Sequence, residues 1–234
     1  MAKGEDIWCS MVVLLLYCIG SFDLASLVYG EASLEVGILI EVKKRLDDPH
    51  GFLNNWNASD IVPCFWTGVT CDNASGLVNE LDLSFKNLGG PVPTGLCLLR
   101  NLTSLNLGSN SLNGRFLDEL FKCSNLMLLN LSQNRIVSFL PSGISKLQLL
   151  KDLDLSGNTF LGPIPSGFGE LGHLESLNLS RNWLNETIPD SLGNLTNLEE
   201  LDLSNNQLSG NINIFQHSLA TVISYLCFVY LRTF

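Results

Sequence analysis

Residues Leu150–Pro165 read LKDLDLSGNTFLGPIP, and the same pattern returns as LESLNLSRNWLNETIP at Leu174–Pro189. This frame of 24 residues holds through six successive units without a slip. Its first position is occupied by Val78, Leu102, Leu126, Leu150, Leu174 and Leu198. A fixed period of this length predicts an array of stacked, similar units. One unit cannot bury its own leucines, whereas a stack of units buries them in a continuous core.

The first half of each unit predicts a short strand followed by a turn. The alternation L-x-L, as at Leu153 and Leu155, directs both leucines to one face of a strand. Strands of adjacent units are expected to pair in parallel and to line the concave side of a curved solenoid. An asparagine three residues beyond the second leucine is expected to bond the main chain of the turn. It recurs as Asn110, Asn134, Asn158, Asn182 and Asn206, and the first unit has Lys86 instead.

The second half of each unit is expected to return to the core. Apolar side chains recur there as Leu88, Leu112, Phe160 and Leu184. They are followed by Gly-x-Ile-Pro or a relative of it, as at Gly162–Pro165. Proline at this place suits an edge or turn position that lacks a ladder partner.

Residues 31–77 have the features of a cap over the open amino-terminal end of the array. Helical periodicity runs from Glu31 to Asp47 and is halted by Pro49. The apolar positions of this helix are Leu34, Ile38, Leu39, Val42 and Leu46. The aromatic residues Trp56, Phe65 and Trp66 are predicted to cover the end of the core.

The cysteines indicate an oxidising compartment. Cys64 and Cys71 lie seven residues apart in PCFWTGVTC and are most simply a disulfide, since no further cysteine or histidine nearby would complete a metal site. Cys97 and Cys123 either pair across neighbouring repeats or stay buried as thiols. Cys227 lies in the carboxyl-terminal tail.

Residues 1–30 are predicted to be a secretory signal peptide. Lys3 precedes the apolar segment Trp8–Gly20, and Val28–Gly30 offers small or slim residues for cleavage. The alternative is a membrane anchor, but the apolar core is short for a bilayer span. Seven N-x-S/T sequons support passage through the secretory pathway. The candidate glycosylation sites are Asn57, Asn73, Asn101, Asn130, Asn178, Asn185 and Asn194.

Charge and motifs argue against nucleic-acid binding and against catalysis. The formal charge is −10, and no basic patch is present for phosphate contacts. The glycines of Gly167–Gly172 satisfy G-x-G-x-x-G, but they fall in the convex part of a repeat with no dinucleotide-type strand before them. His50, His173 and His217 are scattered, with no nucleophile placed by a motif. We therefore expect no catalytic site, no metal and no cofactor.

The cap and repeats resemble the ectodomains of plant leucine-rich-repeat receptor-like kinases. The segment LDDPHGFLNNWNASDIVPCFWTGVTCD resembles their amino-terminal cap, and L-x-G-x-I-P is similar to their plant-specific 24-residue repeat. The runs GPVPTGLCLLRNL, LPSGISKL, FGELGHLESLNLS and TIPDSLGNLTNLEEL are most similar to the HAESA-like branch. The resemblance covers residues 31–212. It implies an α/β leucine-rich-repeat solenoid with a helical, disulfide-stapled cap. Six repeats span residues 78–212, and the last of them is incomplete.

The resemblance implies that the protein perceives a secreted peptide or protein ligand at the outer face of the plasma membrane. It also implies a co-receptor kinase as a second partner. No residue of this chain matches the kinase motifs of that family, so kinase activity is not carried over. Residues 213–234 leave the 24-residue frame, and we interpret them as the aberrant apolar tail of a truncated product. Membrane association is then expected only through a parent receptor or an uncleaved amino terminus. The alternative is a stand-alone secreted inhibitor or defence protein, similar to polygalacturonase-inhibiting proteins.

Exposed strand positions form two columns across the repeats. The first column is Glu80, Ser104, Leu128, Asp152, Ser176 and Glu200. The second is Asp82, Asn106, Asn130, Asp154, Asn178 and Asp202. Their six carboxylates favour a basic peptide.

For the second column a structural role is the stronger interpretation, because Asp or Asn between two leucines is general repeat chemistry. The first column is the candidate ligand-binding site, with a structural role equally supported. A glycan on Asn130 or Asn178 would crowd this face.

Overall fold

The computed structural model describes residue 30, residues 32–115 and residues 118–210. The predictions for residues 1–29 and 211–234, which include the signal peptide and the apolar tail with Cys227, lie outside the described residues. In the described ranges we find no helical segment with the length and hydrophobicity of a membrane span.

An α-helix, α1, spans residues 32–45 and packs on the first repeat. The predicted apolar face is confirmed at Ile38, Leu39, Val42 and Leu46, which are buried. It is wrong at Leu34, which is 59% exposed. The inward positions of the first turn belong instead to Ala32 and Val36, which keep the spacing of a single helical stripe with the later residues. Leu34 falls outside that stripe.

Twelve strands follow in the described residues. In chain order they are β1 (Val69–Cys71), β2 (Val78–Asp82), β3 (Gly89–Pro91), β4 (Ser104–Asn106), β5 (Ser111–Gly114), β6 (Leu128–Asn130), β7 (Arg135–Phe139), β8 (Asp152–Asp154), β9 (Thr159–Gly162), β10 (Ser176–Asn178), β11 (Trp183–Leu184) and β12 (Glu200–Asp202).

The concave sheet has the order β1-β2-β4-β6-β8-β10-β12. Its six repeat strands pair in parallel at a constant offset of one repeat, as predicted. The cap adds β1, which pairs antiparallel with β2 and covers the edge of the sheet. The antiparallel strand was not predicted, because VTC alone is too short to show a strand pattern.

A second sheet of order β11-β9-β7-β5-β3 runs beside the first. Its strands are parallel and lie just beyond the repeat asparagines. The cap closes its other edge, where Asp47 exchanges two main-chain hydrogen bonds with Gly89 at 2.8 and 3.0 Å. This sheet was not predicted from the sequence, because a glycine or a proline lies within or after each of these strands and suggests a turn.

Short 3-10 helices form the convex side of the solenoid. They span Thr94–Leu98, Asp118–Lys122, Ser142–Lys146, Ser166–Glu170 and Asp190–Asn194. The apolar residue at the centre of four of these helices (Leu96, Ile144, Phe168 and Leu192) is fully buried. The leucines of the concave strands meet them in a single core that runs from the cap to Leu208. This continuous core confirms the predicted solenoid.

Two disulfides are present in the described residues. The predicted Cys64–Cys71 bond is confirmed, with 5.4 Å between its Cα atoms. Cys97 and Cys123 also form a disulfide, with a Cα–Cα distance of 4.5 Å, so the alternative of two buried thiols is excluded in this structure. This bond joins the convex sides of the first two repeats.

The aromatic part of the cap prediction is half correct. Trp56 and Trp66 are buried and stack with 5.4 Å between ring centroids. Phe65 was expected beside them, but it is 88% exposed. It immediately precedes the inward-facing Trp66, and the Cys64–Cys71 bond fixes this short loop, so Phe65 is turned to the outside.

Candidate ligand-binding face

The first column lies across the middle of the concave sheet. The Cα register places each member of the column opposite the next one, in the order Glu80, Ser104, Leu128, Asp152, Ser176 and Glu200. The three acidic members are exposed, and the other three are half-buried. No side-chain hydrogen bond among the described residues engages the carboxylates of these three. They are therefore available to a ligand.

The second column has a structural role at every repeat. The side-chain oxygen of each Asp or Asn accepts a hydrogen bond from the main-chain N–H two residues later, for example Asn178 from Ser180 at 3.0 Å. The same bond is formed by Asp82, Asn106, Asn130, Asp154 and Asp202. In Asn130 and Asn178 the oxygen also accepts from the serine hydroxyl at 2.7 Å. These bonds close the turn after each strand, which explains why only Asp and Asn occur there.

The asparagine ladder fixes the spacing of the strands that carry both columns. In Asn158 the Nδ2 amide donates to the carbonyls of Leu131, Leu155 and Ser156 at 2.9 to 3.2 Å, while Oδ1 accepts from the N–H of Ile136 at 3.1 Å. The predicted bonding of the turn is thus confirmed, and it also reaches the preceding repeat. The same arrangement recurs at Asn110, Asn134, Asn182 and Asn206.

The first repeat departs from the ladder as predicted. Lys86 occupies the asparagine position, and its main-chain N–H donates to Oδ1 of Asn110 at 3.1 Å. Its side chain turns to the cap, where Nζ lies 5.4 Å from the ring centroid of Phe52. The imperfect start of the ladder therefore serves to join the cap to the repeats.

The electrostatics are most unbalanced around Asp152. Although Asp152 is exposed as a residue, the partial burial of its carboxyl group raises the pKa above its usual value, and the negative charges of Glu175 and Glu200 raise it further. Lys151 opposes the shift, but its Nζ is paired with Glu175 at 2.6 Å. This pair raises the pKa of Lys151. A cation that approaches Asp152 would relieve the repulsion among these carboxylates.

The ion pair between Lys151 and Glu175 is a feature of this face that sequence analysis missed. Lys151 and Glu175 each directly precede a concave strand and are 24 residues apart, so the repeat frame could have shown them as neighbours. They were overlooked because the alternation of the strand begins one residue later. Their side chains flank the first column at its most acidic end.

The structure separates the seven sequon asparagines by location. Asn57, Asn73, Asn185 and Asn194 are exposed. Asn101 is half-buried and donates to the hydroxyl of Ser75 at 3.2 Å. Asn130 and Asn178 lie in the second column, where their amides are half-buried between strands.

The remaining motifs form no reaction centre in the described part of the chain. Gly167–Gly172 lies on the convex side, where Gly167 and Gly169 are buried against the neighbouring repeats. A Cβ atom on Gly169 would lie 2.1 Å from the carbonyl oxygen of Ser191. His50 and His173 are both exposed and far apart along the solenoid. No group of three or more metal-ligating side chains occurs among the described residues.

A parallel concave sheet with an asparagine ladder and convex 3-10 helices defines a leucine-rich-repeat protein. The chain matches the leucine rich repeat N-terminal domain over residues 32–72 and the leucine-rich repeat region over residues 81–221. It belongs to the leucine-rich repeat family. The second match continues past residue 212, where the 24-residue frame is predicted to end.

Its relatives include plant receptor kinases. The receptor-like protein kinase HSL1 of Arabidopsis thaliana is 47% identical over 76 residues, which is 32% of this chain and 8% of the relative. Receptor-like protein kinase 5 of Arabidopsis thaliana is 44% identical over 103 residues, or 44% of this chain and 10% of the relative. This chain thus spans about a tenth or less of the length of these relatives.

The solved structures agree with these relatives. The ectodomain of the Arabidopsis receptor kinase HAESA, in complex with an IDA peptide hormone, is 43% identical with a TM-score of 0.77. The alignment covers 82% of this chain and 32% of the HAESA chain. HAESA with IDA and the co-receptor SERK1 has a TM-score of 0.74 at 42% identity, covering 80% and 32%. The resemblance to receptor-like kinase ectodomains is therefore confirmed.

Proposed function

We propose that this chain is an extracellular ligand-recognition module of a plant cell-surface receptor, and that its concave face binds a secreted peptide with basic side chains. One observation carries the proposal: the six concave repeat strands contain six carboxylates and no lysine or arginine. The HAESA ectodomain, which is similar in fold and sequence, is bound to a peptide hormone in its solved complexes.

The most suitable part of the face for a basic side chain is the region of Asp152, Ser176 and Glu200. Adjacent parallel strands lie about 4.8 Å apart, so an arginine over Ser176 could reach both flanking carboxylates. The raised pKa of Asp152 supports this placement, because partial burial and the negative charges of Glu175 and Glu200 raise it, and a bound cation would offset these effects. Leu128, next to Asp152 in the column, offers an apolar contact for the stem of such a side chain.

In this proposal residues 1–30 direct the chain into the secretory pathway, residues 31–77 cap the solenoid, and residues 78–212 carry the recognition surface. A co-receptor kinase ectodomain is the expected second partner, since HAESA is also solved with its peptide and the co-receptor SERK1. Sugars on Asn130 or Asn178 would stand on the concave face beside the first column, so we expect peptide binding to require that these two sites carry no bulky glycan.

The test is a binding measurement on the full chain secreted from plant cells. Plant peptide hormones with arginine or lysine residues are titrated by calorimetry, and the reference peptides carry glutamine in place of each arginine and lysine. We expect Asp152→Asn and Glu200→Gln each to weaken binding by about tenfold, because each removes one close charge pair. The matched control is Glu170→Gln on the convex side, which should leave the affinity unchanged.

Two results would contradict the proposal. Equal loss with Glu170→Gln would show that only overall charge matters. Binding that is insensitive to Asp152 and Glu200 would place the ligand elsewhere. Binding of a microbial wall-degrading enzyme in place of any peptide would instead favour the inhibitor class of function.

A further inference from the structure

The outer face of the second sheet carries an exposed apolar row that the ligand-binding proposal does not use. Cα register aligns Phe139 of β7 with Leu161 of β9, and Leu161 with Trp183 of β11. Phe139 is 66% exposed and Trp183 is 58% exposed. The ring of Phe139 lies across Gly162 of the next strand, where a Cβ atom would come within 2.8 Å of it. A contiguous exposed apolar patch commonly marks a surface that another group covers.

Asn185 stands at the end of this row on the same face. Along Trp183, Leu184 and Asn185 the side chains are exposed, buried and exposed, which is the alternation of a strand. The ladder continues to Asn185, whose N–H donates to the carbonyl of Gly162 at 3.0 Å. Trp183 and Asn185 therefore project from the same side of the sheet. Among the described residues, the side-chain amide of Asn185 has no hydrogen-bond partner.

The segment around Asn185 is also held in a fixed shape. Glu186 adopts a left-handed conformation with φ of 65°, so the chain turns directly after Asn185. The main-chain carbonyl of Glu186 accepts hydrogen bonds from both the N–H and the hydroxyl of Ser209 in the following repeat, at 2.8 and 3.1 Å. The direction in which Asn185 leaves the sheet is thus set by the backbone.

We infer that Asn185 carries an N-linked glycan and that the first N-acetylglucosamine packs on the exposed indole of Trp183. The sequence W-L-N-E-T places an aromatic ring two residues before the asparagine of a sequon. A pyranose ring presents a face of C–H groups, and the electron-rich face of an indole attracts them. The sugar would thereby cover the apolar row with a group whose other face is polar.

The other sequons lack this arrangement. The residue two positions before the asparagine is a disulfide cysteine at Asn73, buried Leu192 at Asn194, and a non-aromatic residue at each of the remaining four. Asn194 is a close match in other respects, because it is exposed and its sequon also ends in threonine. It therefore provides the control site.

Tryptophan fluorescence gives a direct measurement. Of the three tryptophans in the described residues, Trp56 and Trp66 are buried and only Trp183 is exposed. The full chain is secreted from a host that attaches high-mannose glycans, and acrylamide quenching is measured before and after enzymatic deglycosylation. Endoglycosidase H leaves one N-acetylglucosamine on each site, whereas peptide N-glycosidase F removes the whole glycan.

We expect the intact and endoglycosidase H-treated proteins to be quenched alike. Complete removal should raise the quenching constant of the exposed component by about a factor of two, because one of the two faces of the indole is uncovered. Asn185→Gln should reproduce this increase, and Asn194→Gln should not. Should Asn185→Gln fail to be secreted, the enzyme treatments of the unchanged chain still give the comparison.

Two outcomes overturn the inference. One is glycopeptide mass spectrometry that finds Asn185 unmodified in the secreted protein. The other is an occupied Asn185 whose complete deglycosylation leaves the quenching constant unchanged. Neither depends on a ligand, so the result is independent of the proposed peptide-binding function.

Discussion

The carboxylate of Glu35 accepts a hydrogen bond from the main-chain N–H of Val78 at 2.9 Å, across 43 residues of sequence. Glu35 is buried in α1, and Val78 is the first residue of the first repeat strand. This bond therefore joins the helix of the cap to the repeat array. The interior position of this hydrogen bond shields it from water.

Removal of that carboxylate should destabilise the chain. Glu35→Ala leaves the N–H of Val78 buried without this acceptor, at an expected loss of about 2 kcal/mol in the free energy of unfolding. Urea denaturation followed by circular dichroism measures the loss. Glu41→Ala is the control on the same helix, since Glu41 is exposed and forms an ion pair with Lys44 at the surface. Equal losses in the two variants would show that the hydrogen bond between Glu35 and Val78 makes no specific contribution to stability.

Substitution of an asparagine in the ladder should cause a larger loss in the free energy of unfolding. Asn158→Ala removes a buried amide that serves three carbonyls and one N–H, and we expect about 3 kcal/mol of destabilisation or more. Asn113→Ala is the matched control, because Asn113 is an exposed asparagine in the second sheet. Its substitution should change the free energy of unfolding by about 0.5 kcal/mol at most. A similar effect of both substitutions would contradict the structural role of the ladder.

The two disulfides should contribute unequally. Cys97 and Cys123 are 26 residues apart, whereas Cys64 and Cys71 are seven apart. In the chain-entropy model the longer loop stabilises by about 3.5 kcal/mol and the shorter by about 2.4 kcal/mol. Double Cys→Ala variants of each pair, compared by urea denaturation, check the order. A larger loss for the Cys64–Cys71 pair would mean that its role in holding Trp66 over the core outweighs loop length.

Asp152 should make stability and binding depend on pH in opposite directions. Because its pKa is raised in the folded chain, the folded state binds a proton more tightly than the unfolded state does. Its unfavourable contribution is present at neutral pH and disappears as the pH falls through the raised pKa. We therefore expect Asp152→Asn to stabilise the chain slightly, by about 0.5 kcal/mol or less, near pH 7 and not near pH 4.

Protonation of Asp152 should have the opposite effect on the binding of a basic ligand. The ligand needs the ionised form of Asp152, so affinity for a basic peptide should fall as the pH is lowered through the raised pKa. Calorimetry at several pH values, with Asp152→Asn alongside, checks this. The variant should have a weaker and flatter pH dependence than the unchanged chain. An identical pH profile in both would exclude Asp152 from the binding face.

Much of this architecture could be predicted from the repeat frame. The positions of Leu153 and Leu155 have the same environment in all six units, and that of Asn158 has it in five, so copies of one pattern define their burial and bonding. Features that occur once were harder to predict. Leu34 and Phe65 were misplaced because a single helix and a single loop offer no repetition against which an apolar residue can be checked.

The candidate site was only partly predictable for a related reason. The register of the first column follows from the frame, and so does the acidic character of the face. The pKa of Asp152 depends on partial burial and on Glu175 and Glu200 in the next two repeats, and the exposure of Trp183 depends on a sheet that was not predicted from the sequence. Contacts between repeats, rather than the pattern within one, decide both.

Substitutions at the glycines of Gly167–Gly172 can test whether this segment is a phosphate-binding loop or the packed convex part of a repeat. Gly169 is buried, and a Cβ atom there would collide with the main-chain oxygen of Ser191 in the next convex helix. Gly169→Ala should thus destabilise the chain by about 1–3 kcal/mol. Gly172→Ala is the control, since a Cβ atom at Gly172 would meet nothing within 4 Å. Urea denaturation distinguishes the two variants, and neither variant nor the unchanged chain should gain thermal stability from ATP. A stabilisation by ATP that both substitutions abolish would instead support a phosphate-binding loop.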